Sequence, residues 1–316
     1  MASPLDLSKL DEAGFAALYA EKIKPCFEAH EPERQAATAS FWRRILIGAP
    51  IVLIATLFVS AAVDSPQAAA FTAIGGGAAA FWVAWLKVAA AQRKVKQASC
   101  AAVAEAIGVS FTMHGFDPPA HARFRSLDLL PRYDRSSFED LFSGDYQGAA
   151  FDLYEAHLET RHTDGKGRTR YSTAFRGQAI RMQFPRRFLG VTIVRRDMGF
   201  FNALGGGKGL QRVGLEDPRF EKAFEVWGSD QVEARYLLHP ILMERLLALE
   251  TAFKGKKIRC AFEQGEMLIA IEGGNLFEPG DMFKPLADPL RARKLVDDIS
   301  MIHRVMDAVL TAQARR

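Results

Sequence analysis

The sequence predicts a membrane-anchored α+β protein: a two-helix transmembrane hairpin with a helical stalk, then a cytoplasmic domain of antiparallel strands and helices. Three observations predict it. Residues 45–86 carry a single charged side chain, Asp64, in a chain of 316 residues with 41 basic and 37 acidic groups. Basic residues flank that stretch on both sides. Beyond residue 108, alternating strand-like runs and capped helical runs follow one another, segregated rather than in a βαβ rhythm.

Residues 1–44 form an N-terminal helical arm, with Leu10, Phe15, Leu18, Ile23 and Phe27 at helical spacing and breaks expected at Pro25 and Pro32. Residues 45–63 hold no charge and, at about 1.5 Å per residue, reach across the hydrocarbon core of a bilayer. Asp64 to Gln67 is a turn, and residues 69–86 form the second span. Phe41 and Trp42 before the first span, and Trp82 and Trp85 near the end of the second, mark the same interface. Arg43, Arg44, Lys87, Arg93, Lys94 and Lys96 flank the pair, while the turn carries only Asp64. Positive charge stays inside, which places both termini in the cytoplasm. Small residues at Ala69, Ala73 and Gly77, with Gly76, Ala80 and Ala84 beside them, allow close helix approach in lipid. Contact with the first span is the plainer use of them, and a homo-oligomer the other. Neither span has an ionisable residue at mid-depth, so an ion or proton path has no support.

Residues 87–108 continue as a stalk helix, and residues 109–316 make the cytoplasmic domain. Strands are expected over 109–113, 149–162, 169–184 and 189–195, the two long ones joined by a hairpin loop at 163–167. Residues 120–130 read as a short helix or turn. Asp217 with Pro218 opens a helix, Asp230 to Glu233 has the capping-box pattern, and Pro240 starts a third helix. A hairpin turns at Gln264-Gly265, and residues 288–312 form an amphipathic helix with Leu295, Ile299, Ile302, Met306 and Val309 on one face.

The net charge of +4 argues against a dedicated nucleic-acid binder. Three distant cysteines, Cys26, Cys100 and Cys260, offer neither a disulfide framework nor a thiolate metal site.

The segments Leu215 to Phe220, Phe224 to Leu238, Pro240 and Met243 to Leu247 carry a resemblance. So do Ser137 to Gly144, Glu155 to Glu159, Phe175-Arg176-Gly177 and Phe277-Glu278-Pro279. Together they are similar to a bacterial two-span membrane family known as domain of unknown function 3137. The Asp-Gln-Val-Glu-Ala-Arg-Tyr stretch is the distinctive part. His239 stands where the resemblance leads one to expect Thr or Ser before the proline. The resemblance implies the architecture and brings no activity, cofactor or active site.

Glu155, His157 and Glu159 alternate along one strand and share a face, so with Asp152 or His162 they offer ligands to a divalent metal or an acid/base pair. A solvated strand face is the plainer explanation of them. Gly205 to Gly209 superficially resembles a phosphate loop, but Lys208 is followed by Gly209 rather than Ser or Thr. Asp230, Glu233 and Arg235, with Glu244 and Arg245, are accounted for by capping and intrahelical pairing. The strongest local charge lies between residues 161 and 197. Arg161, Lys166, Arg168, Arg170, Arg176, Arg181, Arg186, Arg187, Arg195 and Arg196 are opposed there only by Asp164 and Asp197. Such a strip suits anionic lipid headgroups or an acidic protein partner. Arg176 and Arg181 nevertheless fall on opposite strand faces. The reading is a two-pass inner-membrane protein acting as an interaction or regulatory module, without a cofactor. The alternative is a metal-dependent hydrolase working on a lipid or phosphorylated substrate through Glu155, His157 and Glu159.

Overall fold

A computed structural model describes residues 10–63, 65–184, 188–196, 209–252 and 257–314. The chain divides into two compact units: a helical unit of Asp11–Val103 with Glu278–Val296, and a sheet unit of Ala104–Phe277 with the C-terminal residues from Asp297. The grouping of Glu278–Val296 with the helices is not evident from the linear order.

In the helical unit, α1 (Glu12–Leu18) is capped by Asp11, whose side chain accepts from the Gly14 N–H at 2.7 Å. A π-helical turn (Tyr19–Ile23) leads directly into α2 (Lys24–Val63). The expected breaks at Pro25 and Pro32 do not occur. The extra residue in the π turn, where the Lys24 N–H reaches the Tyr19 carbonyl, makes room for the Pro25 ring. Pro32 costs the Glu28 carbonyl its helix donor on an exposed side of α2, where solvent can replace it.

Helix α3 (Pro66–Ala106) runs antiparallel to α2, starting three residues earlier than the apolar run because Ser65 Oγ accepts from the Ala68 N–H. Small side chains set the approach: a Cβ on Gly76 would lie 3.1 Å from Val52, and one on Gly48 3.2 Å from Ala80. Arg44 donates to the Val83 carbonyl, and Lys94 pairs with Glu33 at 2.6 Å. The row facing α2 is therefore Thr72, Gly76, Ala80 and Ala84; Ala69 is half-buried, while Ala73 and Gly77 are exposed. Both helices are long and apolar enough to cross a membrane. None of the most apolar stretch of the first is buried in protein, and only 6 % of the second, which separates them from core helices.

The segment from residue 278 lies along this pair. Lys96 meets Glu278 at 3.2 Å, and Arg34 donates to the Met282 carbonyl at 2.9 Å. Glu31 receives Arg34 Nε and Nη2 (2.9 and 2.7 Å) and the Leu286 N–H (3.0 Å). Tyr19 donates to the Ala287 carbonyl at 3.1 Å.

The sheet unit is built on nine antiparallel strands in the order β1-β2-β3-β4-β9-β8-β5-β7-β6. They are β1 (Ser110–Thr112), β2 (Arg135–Tyr146), β3 (Ala149–Thr163), β4 (Thr169–Gln183), β5 (Thr192–Arg196), β6 (Gln211–Arg212), β7 (Phe224–Gly228), β8 (Ile258–Glu263) and β9 (Glu266–Glu272). The β8–β9 turn uses positive φ at Gln264 and Gly265, and both predicted hairpins are present. Strands β2, β6 and β7 were not predicted by alternation. In β2 the pattern is interrupted by a bulge between Glu139 and Phe142, with Asp140 at φ 59°.

One face of the sheet packs Tyr154, Ala156, Leu158, Phe175, Ala179, Leu268 and Ala270 against Phe124 of α4 (His121–Ser126) and Leu129. The other presents buried Phe151, Leu153, Ile180, Met182 and Ile269. Helices α5 (Pro218–Ala223), α6 (Gln231–Leu237), α7 (Pro240–Ala252) and α8 (Pro289–Ala314) complete the chain. Tyr146 stacks on His303 of α8 at 4.4 Å and donates to Asp307 at 2.8 Å.

Two expectations follow. A Cβ on Gly177 would sit 2.0 Å from the Ile271 carbonyl oxygen, so Gly177→Ala must force β4 and β9 apart. It should cost about 3 kcal/mol, read as a lowered unfolding midpoint in detergent micelles. The second concerns Glu31. The Arg34 guanidinium, then the Leu286 N–H and Gln35, hold its carboxyl down at about 2 from an ordinary 4.5, against a smaller opposing effect of burial. Its contribution is complete above pH 4.5 and is lost as pH falls through about 2. The thermal-stability gap between the natural chain and Glu31→Gln should hold constant above pH 4.5 and close toward pH 2.

Candidate functional site

Period-two alternation places Glu155, His157 and Glu159 on one face of β3, and each is engaged separately. Glu155 is buried; its Oε1 accepts the Leu276 N–H at 2.7 Å and Gln178 Nε2 at 3.3 Å. His157 Nε2 lies 3.0 Å from Thr173 Oγ1. Glu159 pairs with Arg135 Nε at 2.8 Å. A bulge after Leu158 sets Glu159 opposite Thr173 while His157 faces Arg176. Asp152 and His162, even-numbered, point to the opposite face. There Asp152 binds Arg181 and Ser143, and His162 meets Ser172 at 2.8 Å. Among the described residues, no three His, Cys, Asp or Glu side chains are placed to hold a metal ion. The Cys260 thiol is pushed up to about 12 by burial.

The basic residues do not form one strip. Arg181 bridges Asp152 (2.6 Å) and Glu266 (3.0 Å), whose other oxygen is bound by Arg123, itself paired with Glu263 at 3.0 Å. Arg195 lies over the Trp227 ring at 5.5 Å with Glu225 at 4.0 Å, and Arg196 is 3.9 Å from Glu250. Arg176 donates to Asn275 at 3.1 Å. Arg186 and Arg187 lie outside the described residues, as does most of the glycine-rich connector, Lys208 included.

What remains is the end of the β3–β4 hairpin. Strand β2 pairs with β3 only as far as Glu159, and β9 pairs with β4 only from Gly177. Beyond those limits the two strands pair only with each other, through Thr163 opposite Thr169. Every residue of 161–173 is exposed. This tip carries Arg161, Lys166, Arg168 and Arg170 against Asp164 within it, and beside it the Asp134 carboxylate accepts the Arg161 N–H at 2.7 Å. Asp164 is occupied by the loop itself: it accepts from the Lys166 and Arg168 N–H groups at 2.9 Å each and pairs with the Arg168 guanidinium at 3.0 Å. The Arg168 backbone bond, foremost among these, lowers its pKa. Arg161 and Tyr171 face each other on one side and His162 and Arg170 on the other, so cations project from both faces. Arg135 adds its guanidinium 5.2 Å over the Tyr171 ring.

A second feature was not legible as a cavity. A groove of about 1000 Å³ is lined by Leu215, Pro218, Val232, Arg235, Tyr236 and Met243, of which Val232, Arg235 and Tyr236 belong to the most distinctive stretch. Asp217 and Asp230 cap α5 and α6 as predicted, and Arg235 donates to the Gly214 carbonyl at 3.2 Å. Glu233 does not close a capping box on Asp230. Its carboxylate turns away to accept the Leu189 and Gly190 N–H groups, each at 2.8 Å, while Ser229 Oγ accepts that of Val191. His239 is buried in the position preceding Pro240, and its carbonyl receives the Met243 N–H at 3.1 Å.

Residues 173–310 match the family described as protein of unknown function (DUF3137). The match takes in the distinctive stretch and leaves Ser137 to Gly144, Glu155 to Glu159 and the apolar helices outside it. Curated protein sequences give no match. Among solved structures, the mycobacterial trehalose monomycolate transport factor A, TtfA, aligns at 13 % identity. The alignment covers 64 % of this chain and 90 % of that one with a TM-score of 0.33. Similarity at that level carries no functional argument.

The Glu155 geometry makes its own prediction. Glu155→Ala strips the acceptor from the Leu276 N–H and should lower stability by about 2 kcal/mol, whereas His157→Ala, with one exposed bond, should cost less than about 1 kcal/mol. Unfolding followed by tryptophan fluorescence measures both.

Proposed function

We propose that this chain is an interaction module anchored by two spans in the bacterial inner membrane, with both termini and the sheet unit in the cytoplasm. Its β3–β4 tip docks on an anionic surface, in the first instance the headgroups of the leaflet holding the anchor. The exposed apolar faces of α2 and α3 support the anchor, Leu46 being 76 % and Phe71 78 % accessible. Basic residues on the side of both termini support the orientation.

The observation that carries the docking role is the tip: four cations against two carboxylates, Asp164 and Asp134, both occupied by hairpin N–H groups. At about 1 kcal/mol per basic residue near an anionic leaflet, the excess of cations over carboxylates at the tip gives a preference of about 30-fold over a neutral one. Tethering raises the local concentration further, and salt screens the attraction. Arginines 181, 195 and 196 contribute little, since each has a carboxylate beside it. The hydrolase reading is weaker, because Glu155, His157 and Glu159 each serve a separate structural partner.

The test uses the full chain in neutral phosphatidylcholine nanodiscs, mixed with vesicles of phosphatidylcholine or phosphatidylglycerol and separated by flotation. Capture by the anionic vesicles alone, weakened by salt and reduced at least about tenfold by Arg161→Glu, Arg168→Glu and Arg170→Glu together, is expected. Equal capture of the triple variant would sink the role of the tip. Absence of capture would remove lipid as the target and leave an acidic protein.

A further inference from the structure

The helical unit gathers aromatic rings at one level, and one of them comes from far along the chain. Phe41 and Trp42 lie just before the first apolar stretch, and Phe81 and Trp85 close the second. Phe283 joins them, with ring centroids 5.2 Å from Phe41, 6.1 Å from Trp42 and 6.3 Å from Trp85. Phe41 in turn stands edge-on to Phe81 at 5.8 Å and to Trp85 at 6.3 Å.

The turn that presents Phe283 is fastened on both sides. Asp281 Oδ1 accepts the Phe283 N–H at 2.9 Å, and Arg34 holds the Met282 carbonyl. Arg291 donates to the Pro279 carbonyl at 2.9 Å and to that of Lys284 at 3.4 Å. Met282 and Leu286 are buried, whereas Phe283 and Lys284 between them are exposed. A turn so firmly held that still shows an aromatic ring and an ammonium group to the outside has the composition of a membrane interface. There an amphipathic ring sits among headgroups and a cation meets phosphate. Trp42 and Trp82, each more than 60 % exposed, and the exposed cations Arg43 and Lys87 continue the same belt.

We infer that residues 281–286 form a third membrane contact, in which Phe283 and Lys284 lie in the lipid headgroup layer beside the ends of the two spans. The inference rests on the proposal that residues 45–63 and 69–86 cross the bilayer. It assigns a lipid-binding role to a segment more than 190 residues downstream of that hairpin.

The test is photocrosslinking of the full chain in vesicles of phosphatidylcholine and phosphatidylglycerol. Benzoylphenylalanine replaces one residue at a time, and lipid adducts are counted by mass spectrometry. Phe283 and Lys284 are the test positions, the first a conservative aromatic replacement and the second an exposed site that tolerates one. Leu46 on the lipid-facing side of α2 reports on the span. Glu28 on the same helix, about 20 Å above Phe41 at 1.5 Å per residue, is the aqueous control. Adducts at 283 and 284 at least about tenfold above those at 28, with strong labelling at 46, are expected. Labelling at 46 but not at 283 and 284 overturns the third contact and leaves the spans standing. No labelling at 46 overturns the spans and the contact with them. Equal labelling at 28 and 283 also overturns the contact, since no depth would then distinguish them.

Discussion

The sheet unit depends on one close approach. Strands β1 to β4 form a meander in chain order, whereas beyond them the order β9-β8-β5-β7-β6 combines two consecutive pairs, β8–β9 and β6–β7, with non-consecutive neighbours at β8–β5 and β5–β7; the two sets meet where β4 pairs with β9. At Gly177 the Ile271 carbonyl comes nearer than any Cβ would permit, so glycine is what lets the seam close. Seven register pairs follow from Gly177 to Gln183. Both faces of that seam are buried between Gly177 and Ile180 of β4, and β9 is apolar throughout from Met267 to Ile271.

The same strand also explains where charge is left over. Over the paired part of the sheet, short ionic chains neutralise Arg181 with Glu266 and Asp152, Arg259 with Glu272, and, from α4, Arg123 with Glu263 and Glu266. Cations brought near a low-dielectric core need such partners. Past Glu159 and Gly177 the neighbouring strands stop, no core forms, and the cations of the tip have no such requirement. The basic character of the region therefore divides along a structural boundary. Inside it Arg181 and Arg259 meet carboxylates; beyond it Arg168 pairs with Asp164, while Arg161, Lys166 and Arg170 stand exposed.

The helical unit follows a related logic. Glu31 gathers Arg34, Gln35 and the Leu286 N–H at one point, so a single carboxylate ties two segments far apart in the chain. Closer to the apolar stretches, contact passes from ion pairs to aromatic rings and then to glycine and alanine. That order is the one the proposed crossing of a bilayer would call for, from water to headgroup to hydrocarbon.

Features that depend on neighbouring residues follow from the sequence alone. Long apolar runs, the two hairpins with their loops, and the Asp217 and Asp230 caps each depend on a few neighbouring residues and were legible in full. It also showed that Arg176 and Arg181 oppose each other, because side-chain direction alternates along a strand. Tertiary structure alone decided the rest. The bulge at Asp140 hid β2, and the π turn kept α2 intact past Pro25. Glu233 left its expected cap for the Leu189 and Gly190 N–H groups, a competition between a near donor and distant ones that local pattern does not weigh. Which arginines meet carboxylates, and that Phe283 joins Phe41, depends on pairings separated by tens to hundreds of residues. Only the packed chain brings such groups within the few ångströms over which these interactions act.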